Sequence, residues 1–161
     1  MLVPLKRMFR HAVMWGVLPV DPTAYVQRPR VEPLEMNYLA PDEVRVFLDN
    51  VSKRMHPLFL TAILTGMRRG ELLALKWSDV DWERSEIIVQ RSLYKGEFVS
   101  PKTKNAKRRI VMTPSLSNAL ELHRNTTAGS RQELIFSNEK GLPLDPDNLV
   151  HREFLPALVR A

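Results

Sequence analysis

The sequence predicts a mainly α-helical chain carrying a small antiparallel β-sheet, an α+β arrangement. Three observations predict it. Apolar residues recur at helical spacing over most of the chain, residues 86–112 switch to short β-branched runs separated by polar turns, and prolines crowd between residues 18 and 33 and set a first helix apart. The 161 residues, 44% of them hydrophobic, suffice for one modest core and a connecting arm.

The elements follow in order. Leu5, Met8, Phe9, Ala12 and Val13 have the spacing of an amphipathic helix, which Gly16 ends. Pro19, Pro22, Pro29 and Pro33 bar helix and sheet interiors, so this stretch is expected to be an extended linker. The expected organisation is therefore residues 1–17 as the last helix of one domain, 18–38 as linker and 39–161 as a second domain. That domain opens at Pro41-Asp42-Glu43, a proline and two acids suited to a helix start. Val44, Phe47, Leu48 and Val51 continue it. Residues 56–64 are almost wholly apolar and predict a buried helix, broken at Thr65-Gly66 and resumed over 71–75. Strands are expected at 86–90, 95–99 and 109–112, joined in one small sheet. Leu116, Ala119 and Leu120 mark a further helix after Pro114, and residues 134–136 form a short apolar patch. A last helix spans 145–158, with Asp145 as cap and Pro146 in its first position.

Composition narrows the function. There is no cysteine, hence no disulfide and no thiolate metal site, and a reducing, cytoplasmic setting is expected. No apolar run approaches the ~18 residues of a membrane span, and the amino-terminal charges are interspersed with apolar residues, unlike a signal peptide. The net charge is +6, and the window 91–109 alone holds seven basic residues against one acid. A polyanionic partner, double-stranded DNA above all, fits that concentration.

Two segments carry chemistry. In the first, Thr65-Gly66-Met67-Arg68-Arg69-Gly70-Glu71-Leu72-Leu73, one helix stops at glycine and the next starts at once. An arginine at such a junction projects from a rigid frame, and its planar, permanently charged fork suits phosphate. In the second, Pro101-Lys102-Thr103-Lys104-Asn105-Ala106-Lys107-Arg108-Arg109, a basic turn between strands is placed to reach a DNA backbone.

The first segment, continued through Leu75, Trp77, Asp79 and Asp81, resembles the box of tyrosine site-specific recombinases (phage integrase type) that carries their first catalytic arginine. The second resembles their Lys-Thr β-hairpin. Residues 5–33 are similar to the end of the core-binding domain and its linker, and residues 39–161 to the amino-terminal part of the catalytic domain. The resemblance implies that Arg68 holds the scissile phosphate, that Glu71 supports the site, and that Lys102, with Lys104 as runner-up, protonates the leaving 5′ oxygen. Lys104, Lys107 and Arg108 are implied as DNA-backbone contacts, and Arg69 as a surface charge. Ala106 stands where the family often has a hydroxyl. The implied reaction, attack of a tyrosine on phosphorus to give a 3′-phosphotyrosine, needs no metal and no cofactor. Self-association on DNA and a bacterial or phage-encoded, nucleoid-associated protein are implied as well.

The family's second box, His-x-x-Arg followed by a nucleophilic tyrosine, has no counterpart. None of His11, His56, His123 and His151 has an arginine three residues on, and Tyr25, Tyr38 and Tyr94 lie upstream of where the nucleophile belongs. The expectation is a partial catalytic domain that binds DNA without cleaving it alone and leaves part of its helical core open. The alternative is a non-catalytic DNA-binding module derived from a recombinase. Two rivals are weaker. One is a metal-dependent nuclease using Asp79 and Asp81 with Glu71 or Glu83, although an acid pair between helix and strand more often caps or turns. The other is a structural basic protein. Tyr94 is read as a hairpin packing residue, and His123 and His151 as surface or packing residues.

Overall fold

The computed structural model describes residues 2–27, 38–99, 107–127 and 133–161. The chain divides into two compact units, Met1–Tyr38 and Leu39–Ala161. In the first, helix α1 (Leu2–Met14) ends at Gly16, whose φ of +70° lets Val17 and Leu18 return their N–H groups to the Ala12 carbonyl. Among the described residues after it, 22–25 are not extended as the prolines suggest. Asp21 Oδ1 accepts the Thr23 N–H at 2.8 Å and the Thr23 hydroxyl at 2.7 Å, an aspartate turn that curls residues 22–25. Lys6 then donates to the Val26 carbonyl.

The second unit begins with α2 (Pro41–Asn50), where Glu43 in the first turn accepts the Ala40 N–H at 2.7 Å. Helix α3 (His56–Thr65) is buried along Pro57, Leu58, Phe59 and Thr61, because its sequence offers no polar face. Gly66 terminates it in the left-handed region at φ +60°. The short α4 (Arg69–Leu73) follows, then a 3-10 turn (Trp77–Asp79).

The β element differs from the single sheet the sequence suggests. Strand β2 (Glu86–Val89) pairs antiparallel with β1 (Val80–Asp81) on one side and β5 (Arg108–Val111) on the other. The remaining strand is shorter than the expected 95–99. It is β4 (Glu97–Val99), and it pairs with β3 (Ser92–Tyr94) as a separate hairpin. Lys95 and Gly96 have φ of +50° and +83°, so they form the tight turn between these strands. Tyr94 is 63% exposed, so it does not pack as expected, and its ring lies under the Lys95 ammonium instead.

Helix α5 (Pro114–Thr127) buries Leu116 and Leu120. Residues 133–136 run beside 75–77, with Trp77 N–H on the Glu133 carbonyl and Ile135 N–H on the Leu75 carbonyl, both at 2.9 Å. His123 donates from Nε2 to the Ile135 carbonyl at 2.8 Å between the rings of Trp77 and Phe136, a packing role. The carboxy-terminal helix is built from α6 (Pro146–Asn148), a π-helical stretch (Leu149–Phe154) and α7 (Leu155–Arg160). Asp145 caps it as expected, accepting the N–H groups of Asp147 and Asn148. The widened turn, with Leu155 N–H on Val150 O, lies just before Pro156, whose ring has no room against a regular turn.

Phe47, Phe59 and Phe154 join α2, α3 and the carboxy-terminal helix through ring contacts of 5.4–6.0 Å. Leu58, Leu73, Leu75, Ile87, Leu116, Leu120 and Ile135 fill the interior beside them. An apolar groove lined by Leu39, Ala62, Ile63, Met67, Val150 and Phe154 opens along this cluster. Among the described residues, no helix is long and apolar enough to cross a membrane.

Candidate functional site

The junction of α3 and α4 sets two neighbouring side chains to opposite fates. After Gly66 turns the backbone, Met67 enters the core at 7% exposure. Arg68 takes the N-cap position of α4 in extended backbone, and its side chain is 82% exposed. Three residues on, Glu71 lies on the inner side of the same turn, its side chain 10% exposed. Its Oε2 accepts the Arg68 backbone N–H at 3.0 Å, and its Oε1 lies 3.3 Å from the Arg68 guanidinium. A glutamate three residues after the cap has this geometry available in any helix start.

The second basic segment supplies the third member. Arg108, the first residue of β5, donates both Nη atoms to Glu71, at 3.0 Å to Oε1 and 2.7 Å to Oε2. The fork is held by the sheet, since Arg108 stands opposite Val89 at the end of the β2–β5 ladder. The hydrogen bonds from Arg108 are the main reason the Glu71 carboxyl titrates at about 2, far below its ordinary 4.5, and the two bonds from Arg68 add to it. The same pairing raises the Arg108 guanidinium above its ordinary value. Arg68, Glu71 and Arg108 are thus one cluster. Lys107, next to it in the chain, is exposed. Lys102 and Lys104 lie outside the described residues.

Arg69 is more than a surface charge. Its guanidinium donates to the Pro146 carbonyl at 3.3 Å and lies 3.8 Å from Asp147, tying α4 to the start of the carboxy-terminal helix. Gly70 has a role sequence reasoning did not assign. A Cβ there would meet Ser92 Oγ at 2.5 Å and the Leu93 carbonyl at 2.7 Å, so only glycine lets α4 lie this close to β3. Gly70→Ala is expected to cost about 1–3 kcal/mol in denaturant unfolding. A loss within ~0.5 kcal/mol, the scatter of ordinary surface changes, would show the hairpin yields freely.

Asp79 reads differently from a metal ligand. It is 1% exposed, and its oxygens accept from the Lys76 N–H at 2.9 Å, Gln90 at 2.6 Å and Arg91. This buried cap fixes the 3-10 turn to the end of β2. Lys76 in turn pairs with Glu133, whose carboxyl is lowered by that contact, and lies over the Phe98 ring. Among the described residues, no group of three or more His, Cys, Asp or Glu side chains is placed to share a metal ion.

Residues 37–154 match the profile of the phage integrase family. The chain is 33% identical to a XerC-like tyrosine recombinase of Caldanaerobacter subterraneus subsp. tengcongensis, over 91% of this chain and 46% of that protein. It is 31% identical to the ICEBs1 integrase of Bacillus subtilis, over 92% of this chain and 41% of that protein. The chain therefore spans less than half the length of these relatives. Its fold is similar to that of the Tn1549 transposon integrase solved with transposon right end DNA, at a TM-score of 0.73 and 22% identity, covering 86% of this chain and 50% of that one. It is equally similar, at 0.73 and 18% identity, to a lambda integrase tetramer bound to a Holliday junction, covering 97% of this chain and 43% of that one. The profile match takes in most of the chain and the whole Arg68–Glu71–Arg108 cluster, and on it the protein belongs to the phage integrase family of tyrosine recombinases.

Proposed function

We propose that this chain is the phosphate-gripping part of a site-specific DNA recombinase, with double-stranded DNA as its partner. One observation carries the reading: an arginine side chain 82% exposed is braced at its root by a glutamate side chain 10% exposed. That arrangement presents a cation at a surface from a fixed stretch of backbone, where one guanidinium can donate to two oxygens of a phosphodiester. In the whole protein, Arg68 would hold the non-bridging oxygens of the scissile phosphate. Lys102, or Lys104 in its place, would protonate the leaving 5′ oxygen, while Lys104 and Lys107 follow the backbone. Copies would assemble on the DNA, in the cytoplasm of a bacterium. Strand cleavage belongs to that whole protein, because the sequence in hand supplies no His-x-x-Arg and no tyrosine after it.

The test is duplex binding by the purified chain across a salt series. With about 4–5 phosphates neutralised, the log–log slope is expected near −4. Arg68→Ala is expected to weaken binding on the order of tenfold, the worth of a hydrogen bond to a charged group, and to flatten the slope by roughly one phosphate's share. Binding indifferent to salt, or unchanged by Arg68→Ala, would remove the basis for this reading. A phosphotyrosine adduct formed by this chain alone would contradict the assignment of cleavage to the whole protein.

A further inference from the structure

Arg108 was expected among the DNA-backbone contacts, yet both of its Nη atoms are engaged inward. Glu71 receives four hydrogen bonds from two arginines. Oε1 is shared by Arg108 at 3.0 Å and Arg68 at 3.3 Å, and Oε2 by Arg108 at 2.7 Å and the Arg68 backbone N–H at 3.0 Å. The Arg68 side chain makes the longest of the four and is the more exposed arginine, at 82% against 36%. The two guanidiniums therefore compete for one nearly buried carboxylate, and Arg108 holds the better share.

That competition has a direction. A carboxylate shielded from water and left with one cation draws that cation in strongly. A carboxylate already matched by a bidentate fork has little charge left to attract a second. The fork is specific to arginine, because a lysine ammonium is a point charge and cannot satisfy both oxygens in one plane. The position also suits the task, since the ladder partner of Arg108 fixes its backbone.

We infer that Arg108 is a positioning residue: it occupies Glu71 so that the Arg68 guanidinium stays turned outward for an anionic phosphate, and it makes no phosphate contact of its own. This deepens, and rests on, the reading of Arg68 as the phosphate-facing arginine.

The experiment compares the parent chain with Arg108→Gln, Arg108→Lys, Glu71→Gln and the double variant Glu71→Gln/Arg108→Gln, each checked for folding by circular dichroism. Two readouts are taken, the nuclear magnetic resonance signals of the Arg68 guanidinium without DNA, and equilibrium binding to a short duplex. In Arg108→Gln, the Arg68 signals are expected to shift and its guanidinium rotation to slow as Glu71 draws it in. Duplex binding should fall on the order of tenfold, the worth of a charge-assisted hydrogen bond. The double variant restores most of that loss, because neutralising Glu71 removes the pull. Arg108→Lys lies between parent and Arg108→Gln. Equal losses in Arg108→Gln and the double variant would overturn the inference and make Arg108 a phosphate ligand itself. Unchanged Arg68 signals in Arg108→Gln would overturn it too. If Arg108→Gln fails to fold, the Glu71→Gln background decides: there, removing Arg108 must leave the Arg68 signals where they are, and a further shift refutes the coupling. A parent chain that binds no duplex counts against the DNA reading alone, since the DNA-free signals still judge whether Arg108 acts through Glu71.

Discussion

Phe47→Ala is expected to cost about 3–5 kcal/mol of folding free energy, the usual range for deleting a buried aromatic ring. Phe47 is 1% exposed and touches Phe59 edge-on at 5.4 Å and Phe154 at 5.5 Å, so one side chain joins α2, α3 and the carboxy-terminal helix. Collapse cannot refill the space cheaply, because the rings around it are held by different helices that would have to move together. At roughly 2–4 °C of melting temperature per kcal/mol for a chain of this size, the melting point should fall by about 10 °C. A loss below ~1 kcal/mol in denaturant unfolding would mean the three helices hold together without the ring cluster.

Glu71→Gln is expected to cost on the order of 1–3 kcal/mol at neutral pH, because the carboxyl is held at about 2 in place of 4.5 and solvent screens part of that pairing. Its side chain is 10% exposed while its partners Arg108 and Arg68 are 36% and 82% exposed, so solvent screens part of the pairing. The sign follows from which state binds the proton more readily. The folded chain holds Glu71 ionised, with the lower pKa, so its stabilisation is complete above about pH 4.5 and fades as pH falls towards 2. The stability difference between parent and Glu71→Gln should therefore be constant from pH 7 down to about 5 and shrink below that. Denaturant unfolding at several pH values measures it. A difference that does not change with pH would show that Glu71 acts by shape rather than by charge.

Much of the fold was legible because its signals are local. The almost wholly apolar run of α3, the proline and acids that open α2, and the aspartate two places before Asp147 each specify an element within one or two turns. Arg68 and Glu71 were legible together for the same reason, being one helical turn apart. What escaped lies at long range or in backbone geometry. Glu71 and Arg108 are 37 residues apart, Arg69 and Pro146 are 77 apart, and no periodicity links either pair. The hairpin of β3 and β4 differs from the expected 95–99 strand because Lys95, at the head of that run, adopts positive φ beside Gly96. Gly70 carried no reading in the sequence, because its reason is the Leu93 carbonyl on another element. The sequence placed Asp79 between helix and strand, and the fold then surrounded it with Gln90 and Arg91.

The same separations bear on how the protein is made. A ribosome extends a chain by roughly 5–20 residues per second. Arg108, 37 residues after Glu71, therefore follows it by roughly 2–7 s, and Pro146, 77 residues after Arg69, follows that residue by roughly 4–15 s. Throughout that interval Glu71 has Arg68 beside it and lacks the fork of Arg108. The carboxylate paired on both oxygens by a second arginine therefore belongs to the finished domain, since the bonds that do most to keep Glu71 ionised come from a residue made seconds later.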